Sequence, residues 1–347
     1  MRLIFARQGI FMKDTQALKD FLSTPRTIVI TTHANPDADA LGSSLGLEHF
    51  LVSQGHTVQT IIPNSFPDFL EWMPGLHEVI DFEAKPEIAK KKITASEVVF
   101  CLDFSAFSRV RGMSECLSTY QAQIALVDHH LNPAIKPHFN FWNDKAAATS
   151  ELVYDLIEDL DKKEQITPAI ADCLYAGIMT DTGSFKHPST SAKIHRTVAE
   201  LISLGANVNK VSRLIYDTNS LNRLRFLGYA LAEKLQVNSK FQVAHFVIRE
   251  QDVKQFDLKK GDTEGLVNYA LSIRGVVVAA IIIERDNEIK MSFRSVGDVA
   301  VNDFAEKFFE GGGHKNAAGG TSSLDIESTE RKFNDLISQN ILNTKIS

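Results

Sequence analysis

The chain has very little cysteine: Cys101, Cys116 and Cys173 are the only ones in 347 residues, far apart and without a CxxC pair. An odd, scattered set builds neither a disulfide framework nor a thiolate metal clip. It fits reduced thiols in a cytoplasmic protein. Long apolar runs are missing too, so no stretch reads as a membrane span. Residues 1–12 hold a short apolar patch broken by Arg2 and Arg7, with no long apolar core and no small-residue cleavage site, which argues against a secretory signal. Met12 is an alternative start. Basic tracts are equally scarce. Lys90-Lys91-Lys92 reads as a solvated helix end, and the net charge is −6. A protein that tracks long nucleic acid usually shows a basic face, so a long polymer is disfavoured. A small phosphate ester is not, if metal ions neutralise some of the acids.

What is present is an ordinary globular composition, 44% apolar and 23% charged, in a chain long enough for two cores. Over the first 200 residues, strand patterns at 27–32, 57–62, 98–102 and 124–127 alternate with helical ones at 39–54, 150–160, 168–180 and 192–204. Such alternation predicts an α/β fold with a doubly wound, mostly parallel sheet. Residues 206–234 read as a helical linker. Strand patterns at 242–248, 276–284 and 288–294, then helices at 301–309 and near 327–341, predict a second, smaller α/β domain. The expected division is 1–205, 206–234 and 235–347.

Polar groups capable of chemistry follow the strand patterns. His33, Asp37 and Asp39 follow 27–32, Asp103 follows 98–102, and Asp128-His129-His130 follows 124–127. Each would stand at the carboxyl end of a buried strand, where open α/β sheets bind ligands. An aspartate at a helix start is common as a cap, which explains Asp37 alone but neither His33 nor a second acid two residues later. Asp181 falls at the end of a helical pattern, against the helix dipole, a placement easier to understand beside a cation. Four carboxylates in one pocket repel unless cations neutralise them. Oxygen donors mixed with imidazole suit Mn²⁺, with Mg²⁺ as the alternative. Two ions about 3.5–4 Å apart can clamp a phosphoryl oxygen. Ser105, Ser108 and Arg109 add groups suited to phosphate.

The run Gly311-Gly312-Gly313-His314-Lys315 is neither a Walker loop nor a GxGxxG turn. Consecutive glycines let backbone N–H groups approach an anion, with His314 and Lys315 as further donors. Standing alone, it would read as a flexible turn. Arg294, on a preceding strand, could reach the same anion with a bidentate fork.

Taken in order, His33-x-Asn35-Pro36-Asp37-x-Asp39, Asp103, Asp128-His129-His130 and Asp181-x-Gly183 resemble the four motifs of the DHH phosphoesterases. The glycine run with Ala317-Ala318-Gly319 resembles the signature of the DHH-associated C-terminal domain. Within that group the chain is similar to the stand-alone bacterial nano-RNases, also at residues 264–269. The resemblance implies two ions: one held by His33, Asp37 and Asp103, the other by Asp39, Asp103, His129 and Asp181, with Asp103 bridging. It implies that His130 faces the scissile phosphate and that Asp128 supports the histidines. Arg109 is a weaker phosphate contact; Arg294, Gly312, Gly313 and His314 would hold the far phosphate or nucleotide. The implied activity is hydrolysis of very short RNA to mononucleotides, with 3′-phosphoadenosine-5′-phosphate to AMP as a further candidate. The implied partners are short RNA oligonucleotides and nucleotide bisphosphates, without long nucleic acid or membrane, and a homodimer is left open. A pyrophosphatase of the same superfamily and a non-catalytic nucleotide sensor are the competing readings. The glycine run counts against the first, and the intact metal motifs count against the second.

Overall fold

The structure, a computed structural model, describes residues 11–259, 261–285 and 288–342. Residues 1–10, on which most of the amino-terminal reading rests, lie outside the described residues. The chain forms two compact units that meet in sequence between Thr218 and Asn219.

The first unit holds strands β1 (Thr27–Thr31), β2 (Thr57–Ile62), β3 (Ile80–Asp81), β4 (Val98–Leu102), β5 (Gln123–Asp128) and β6 (Phe139–Trp142). They form one sheet in the order β3-β2-β1-β4-β5-β6, with every pair parallel. The chain winds outward from β1 to β3, returns to β4 beside β1, and winds outward the other way. Loops leaving β1 and β4 therefore diverge, and a crevice opens at their carboxyl ends. The sequence patterns predicted four of these strands. The two short edge strands, β3 and β6, are too brief to show a period.

Strand alternation sorts the core into two layers. Ile28, Ile30, Val98, Phe100, Leu102, Ala125 and Val127 pack on one side, among residues of the helices Ala38–Ser53, Thr149–Asp159 and Pro168–Asp181. Val29, Val99, Cys101 and Leu126 pack on the other, with Ala89 and Ile93 of the helix Pro86–Ala95. Burial on both faces explains why these strands read as continuous apolar runs. Lys90, Lys91 and Lys92 lie on the exposed side of Pro86–Ala95, a solvated face.

The second unit contains β7 (Leu235–Asn238), β8 (Val243–Ile248), β9 (Val278–Arg285), β10 (Glu288–Ser295), β11 (Gly312–His314) and β12 (Ala317–Ser322). Its order is β11-β12-β10-β9-β8-β7, antiparallel except for β8 with β9. One face carries the helices Val301–Phe308 and Ile326–Ser338, and the other packs against the helix Leu266–Leu271. Residues 206–234 divide between the units. Val211 and Ile215 of the helix Val208–Tyr216 are buried in the first core, whereas Phe226 and Ala230 join the second. Their apolar faces draw these helices into the bodies, leaving little free tether. Among the described residues, no helix is long and apolar enough to cross a membrane.

Candidate metal centre

The loop after β1 carries the first cluster. Asn35 adopts a left-handed backbone (φ 56°), which asparagine tolerates. Its N–H donates to Asn64 Oδ1 at 2.7 Å, and Asn64 Nδ2 returns a bond to Asn35 Oδ1 at 3.0 Å. This amide pair pins the loop. Asp37 caps the helix Ala38–Ser53, its Oδ1 accepting from the N–H groups of Asp39 and Ala40 at 3.0 Å each. Its other oxygen lies 3.9 Å from His33 Nε2. Capping and ligand roles therefore coexist, one per oxygen. His33 Nδ1 lies 2.9 Å from Ala34 O, so that contact directs Nε2 towards the carboxylates.

Asp103 sits at the centre, nearly fully buried, just past β4 in a left-handed conformation (φ 63°). Its N–H continues the sheet ladder to Val127 O at 3.1 Å. Oδ2 lies 3.3 Å from His33 Nε2, and Oδ1 lies 3.3 Å from His129 Nε2. One carboxylate thus spans two imidazoles from the loops after β1 and β5. Burial alone would push its pKa up, but His129 and His33 hold the carboxyl well below the usual range.

Asp39 points from the first turn of its helix into the protein, 1% exposed. Burial, then the charge of Asp103, pushes its carboxyl up to about 7. Asp181, the last residue of Pro168–Asp181, places Oδ2 3.3 Å from His129 Nε2. Burial and the neighbouring Asp39 raise its pKa well above the ordinary value. His129 is raised well above its usual value: burial opposes protonation, but Asp103 and Asp181 outweigh it. Its Nδ1 meets Ala146 O at 3.3 Å. The raised Asp39 and Asp181 carboxyls repel one another and Asp103, a repulsion that a bound cation would relieve.

Two donor groups emerge, His33 with Asp37 and Asp103, and Asp39 with His129 and Asp181; within each, the donor atoms lie within 4.8 Å of one another. Asp103 joins them through its second oxygen. Oxygen-rich with some imidazole, this donor set fits hard or borderline divalent ions. A third group joins Asp103, Asp128 and His130. His130 Nδ1 lies 2.8 Å from Asp128 Oδ1, and the fully buried Asp128 fixes that ring. Arg109 is half-buried in the turn Phe107–Met113, its carbonyl accepting from Ala34 N–H at 2.8 Å, and its charge reaches His33.

Of the predicted anion residues of the second unit, Arg294, Gly312 and His314 share a face, whereas Gly313 pairs with Ala318 at the opposite register. Arg294 on β10 and His314 on β11 both pair with Ala317 of β12, so all three project from one face, opposite Phe293 and Ala318. The glycine run is not a loose turn but the strand β11 of a hairpin. Gly313 has φ 140°, and a Cβ there would stand 2.6 Å from Ala317 O; a Cβ on Gly312 would meet nothing. Gly313 is structural by this measure, while Gly312 leaves open space. Lys315, read as an anion donor, instead pairs with Asp298 at 2.8 Å.

Sequence reasoning passed over several residues that hold the ligands in place. Thr149 and Ser150 donate backbone N–H groups to the two oxygens of Asp39, at 2.7 and 2.9 Å. Gly177 lies where a Cβ would strike Ser150 Oγ and come within 2.5 Å of Asp39 Oδ1. A helix start was legible at Ser150, but nothing in the pattern said that its N–H groups would find a carboxylate more than a hundred residues away.

Fold and site together define a doubly wound α/β protein with a carboxylate–imidazole cluster that could hold metal ions at the switch of its sheet. Residues 27–178 match the DHH family, N-terminal domain, and residues 238–343 match the DHHA1 domain. The chain is 32% identical over 304 residues to the bifunctional oligoribonuclease and PAP phosphatase NrnA of Thermus thermophilus, covering 86% of each protein. It is 26% identical over 311 residues to the protein of the same name from Bacillus subtilis, covering 89% of this chain and 93% of that one. The crystal structure of an exopolyphosphatase-related protein from Bacteroides fragilis superposes with a TM-score of 0.90 at 37% identity, covering 94% of this chain and 96% of that one. The protein belongs to the DHH family.

Proposed function

We propose that the protein is a two-ion phosphodiesterase and phosphatase that hydrolyses very short RNA to mononucleotides and 3′-phosphoadenosine-5′-phosphate to AMP. The carrying observation is the pair of donor groups joined by Asp103. The activities named for the Thermus and Bacillus relatives support the substrate class. His33, Asp37 and Asp103 would hold one ion, and Asp39, Asp103, His129 and Asp181 the other, with Mn²⁺ favoured by the mixed donors and Mg²⁺ second. Bound there, the ions would supply a nucleophile at neutral pH and neutralise charge on the phosphoryl oxygens. His130, its Nδ1 turned to Asp128, presents the opposite ring edge to the scissile phosphate. Arg109 adds a cation near His33. Arg294, His314, Gly312 and Gly313 hold the substrate's terminal phosphate or nucleotide. The scarcity of basic tracts and of disulfide-forming cysteine supports a cytoplasmic enzyme without long nucleic acid as substrate. The test is turnover, side by side with Mn²⁺, of a 5′-phosphorylated dinucleotide, a longer RNA, 3′-phosphoadenosine-5′-phosphate and pyrophosphate. Preference for the dinucleotide and the bisphosphate is expected. Pyrophosphate as the best substrate, or nucleotide binding without turnover, overturns the reading.

A further inference from the structure

We propose that segment 146–151, at the start of the helix Thr149–Asp159, is a positioning plate that holds ligands of both ions in register. The proposal rests on the two-ion reading above. One short stretch of chain meets three of the candidate ligands. Ala146 O accepts from His129 Nδ1 at 3.3 Å. The N–H groups of Thr149 and Ser150 donate to Asp39 Oδ2 and Oδ1. Thr149 Oγ1 donates to Asp103 Oδ1 at 2.9 Å, the oxygen that His129 also approaches.

The helix start explains why the arrangement holds. Its N-cap, Ala148, has no side chain able to cap, so the first N–H groups need a partner from elsewhere. Asp39 is that partner, and the dipole at the helix start favours its charge. Each Asp39 oxygen keeps a lone pair for an ion while the other is fixed by an N–H. Glu151 closes the turn from within: its Oε2 accepts from Ala147 N–H at 2.7 Å, and its Oε1 accepts from Lys193 Nζ at 2.6 Å. Lys193 also pairs with Asp155. The brace runs from Lys193 through Glu151 to the backbone that orients His129 and Asp39. Gly177 leaves the room that the contact between Ser150 and Asp39 needs. A shift of the plate would move donors of both ions together. Thr149, Glu151 and Lys193 are therefore positioning residues, since none of them belongs to either donor group.

The test is titration of the metal-free protein with Mn²⁺ alone, followed by calorimetry and electron paramagnetic resonance. Thr149→Val keeps the N–H and the shape but removes the hydroxyl. It is expected to weaken Mn²⁺ binding about tenfold or more, the usual effect of removing a group behind a metal ligand. Thr149→Ser restores the hydroxyl and is expected to stay within about threefold of wild type. Lys193→Met, at the outer end of the brace, is expected to weaken Mn²⁺ binding several-fold, and it serves as the deciding variant if Thr149→Val does not fold. Wild-type affinity in Thr149→Val, or in Lys193→Met where that variant decides, overturns the plate while leaving the ion reading standing. A wild-type protein that binds no Mn²⁺ overturns the ion reading itself, and the plate with it.

Discussion

The two units build their polar sites from different parts of the chain. In the first, side chains do the work. His33, Asp39, Asp103 and His129 come from separate loops and helices, and each is held by at least one further hydrogen bond or close polar contact. In the second, backbone makes room. A glycine-rich hairpin strand leaves open space beside Gly312, and Arg294 and His314 add charge and ring nitrogen on that face. A site built from side chains fails when one donor changes. A site built from backbone fails when bulk is added. The first kind of loss should appear in chemistry and metal binding, the second in substrate affinity.

Asp103→Asn breaks the first unit most severely, because one carboxylate serves both donor groups. Turnover is expected to fall more than about a hundredfold, beyond the 10–100-fold typical of residues behind the ligands. Near-normal activity with Mn²⁺ in that variant would remove Asp103 from the centre. Arg294→Ala probes the second unit. A charge-assisted hydrogen bond contributes roughly 1.5–3 kcal/mol, so KM should rise about 10–100-fold with kcat little changed. An unchanged KM would end its anchoring role.

A paired glycine experiment then separates structure from binding within the hairpin. Gly313→Ala meets both a left-handed backbone and Ala317 O, and should lower stability by about 1–3 kcal/mol. Gly312→Ala meets nothing and should leave stability within about 0.5 kcal/mol while raising KM. Equal melting temperatures for the two variants would contradict this division. The smallest expected effect concerns pH. Asp39's carboxyl, pushed up to about 7, retains a proton below that pH in the metal-free protein. An ion must displace that proton, so the apparent Mn²⁺ affinity should rise by at least about tenfold between roughly pH 6 and pH 8, and the raised Asp181 and His129 steepen the rise. Calorimetry in buffers of different ionisation enthalpy would show the proton release, and a flat profile would count against Asp39 as a ligand.

Much of this was legible because burial and catalysis leave opposite marks on a sequence. Strands buried on both faces read as continuous apolar runs, so the polar residue that breaks each run marks the sheet edge. His33, Asp103 and Asp128 were found that way, and the structure places them at the carboxyl ends of β1, β4 and β5, which lie side by side. Asp181 needed the helix-dipole argument. Thr149, Ser150 and Gly177 left no such mark. Their contribution is a backbone N–H or an empty volume, and neither depends on a side chain that a pattern can flag. The hairpin at 312–322 was hidden for a related reason: strands made of glycine and alanine carry no alternation to read.

Cys101 lies in β4, two residues before Asp103, and its side chain is buried in the apolar layer with Val29 and Ile61. Burial there pushes the thiol far above its ordinary range. An exposed sulfur beside such a carboxylate–imidazole cluster would invite capture by soft ions such as copper(I) or conversion to sulfenic acid by peroxide. Asp103 leaves that layer because it stands past the strand end with a left-handed backbone, so the thiol stays buried and chemically silent beside the cluster.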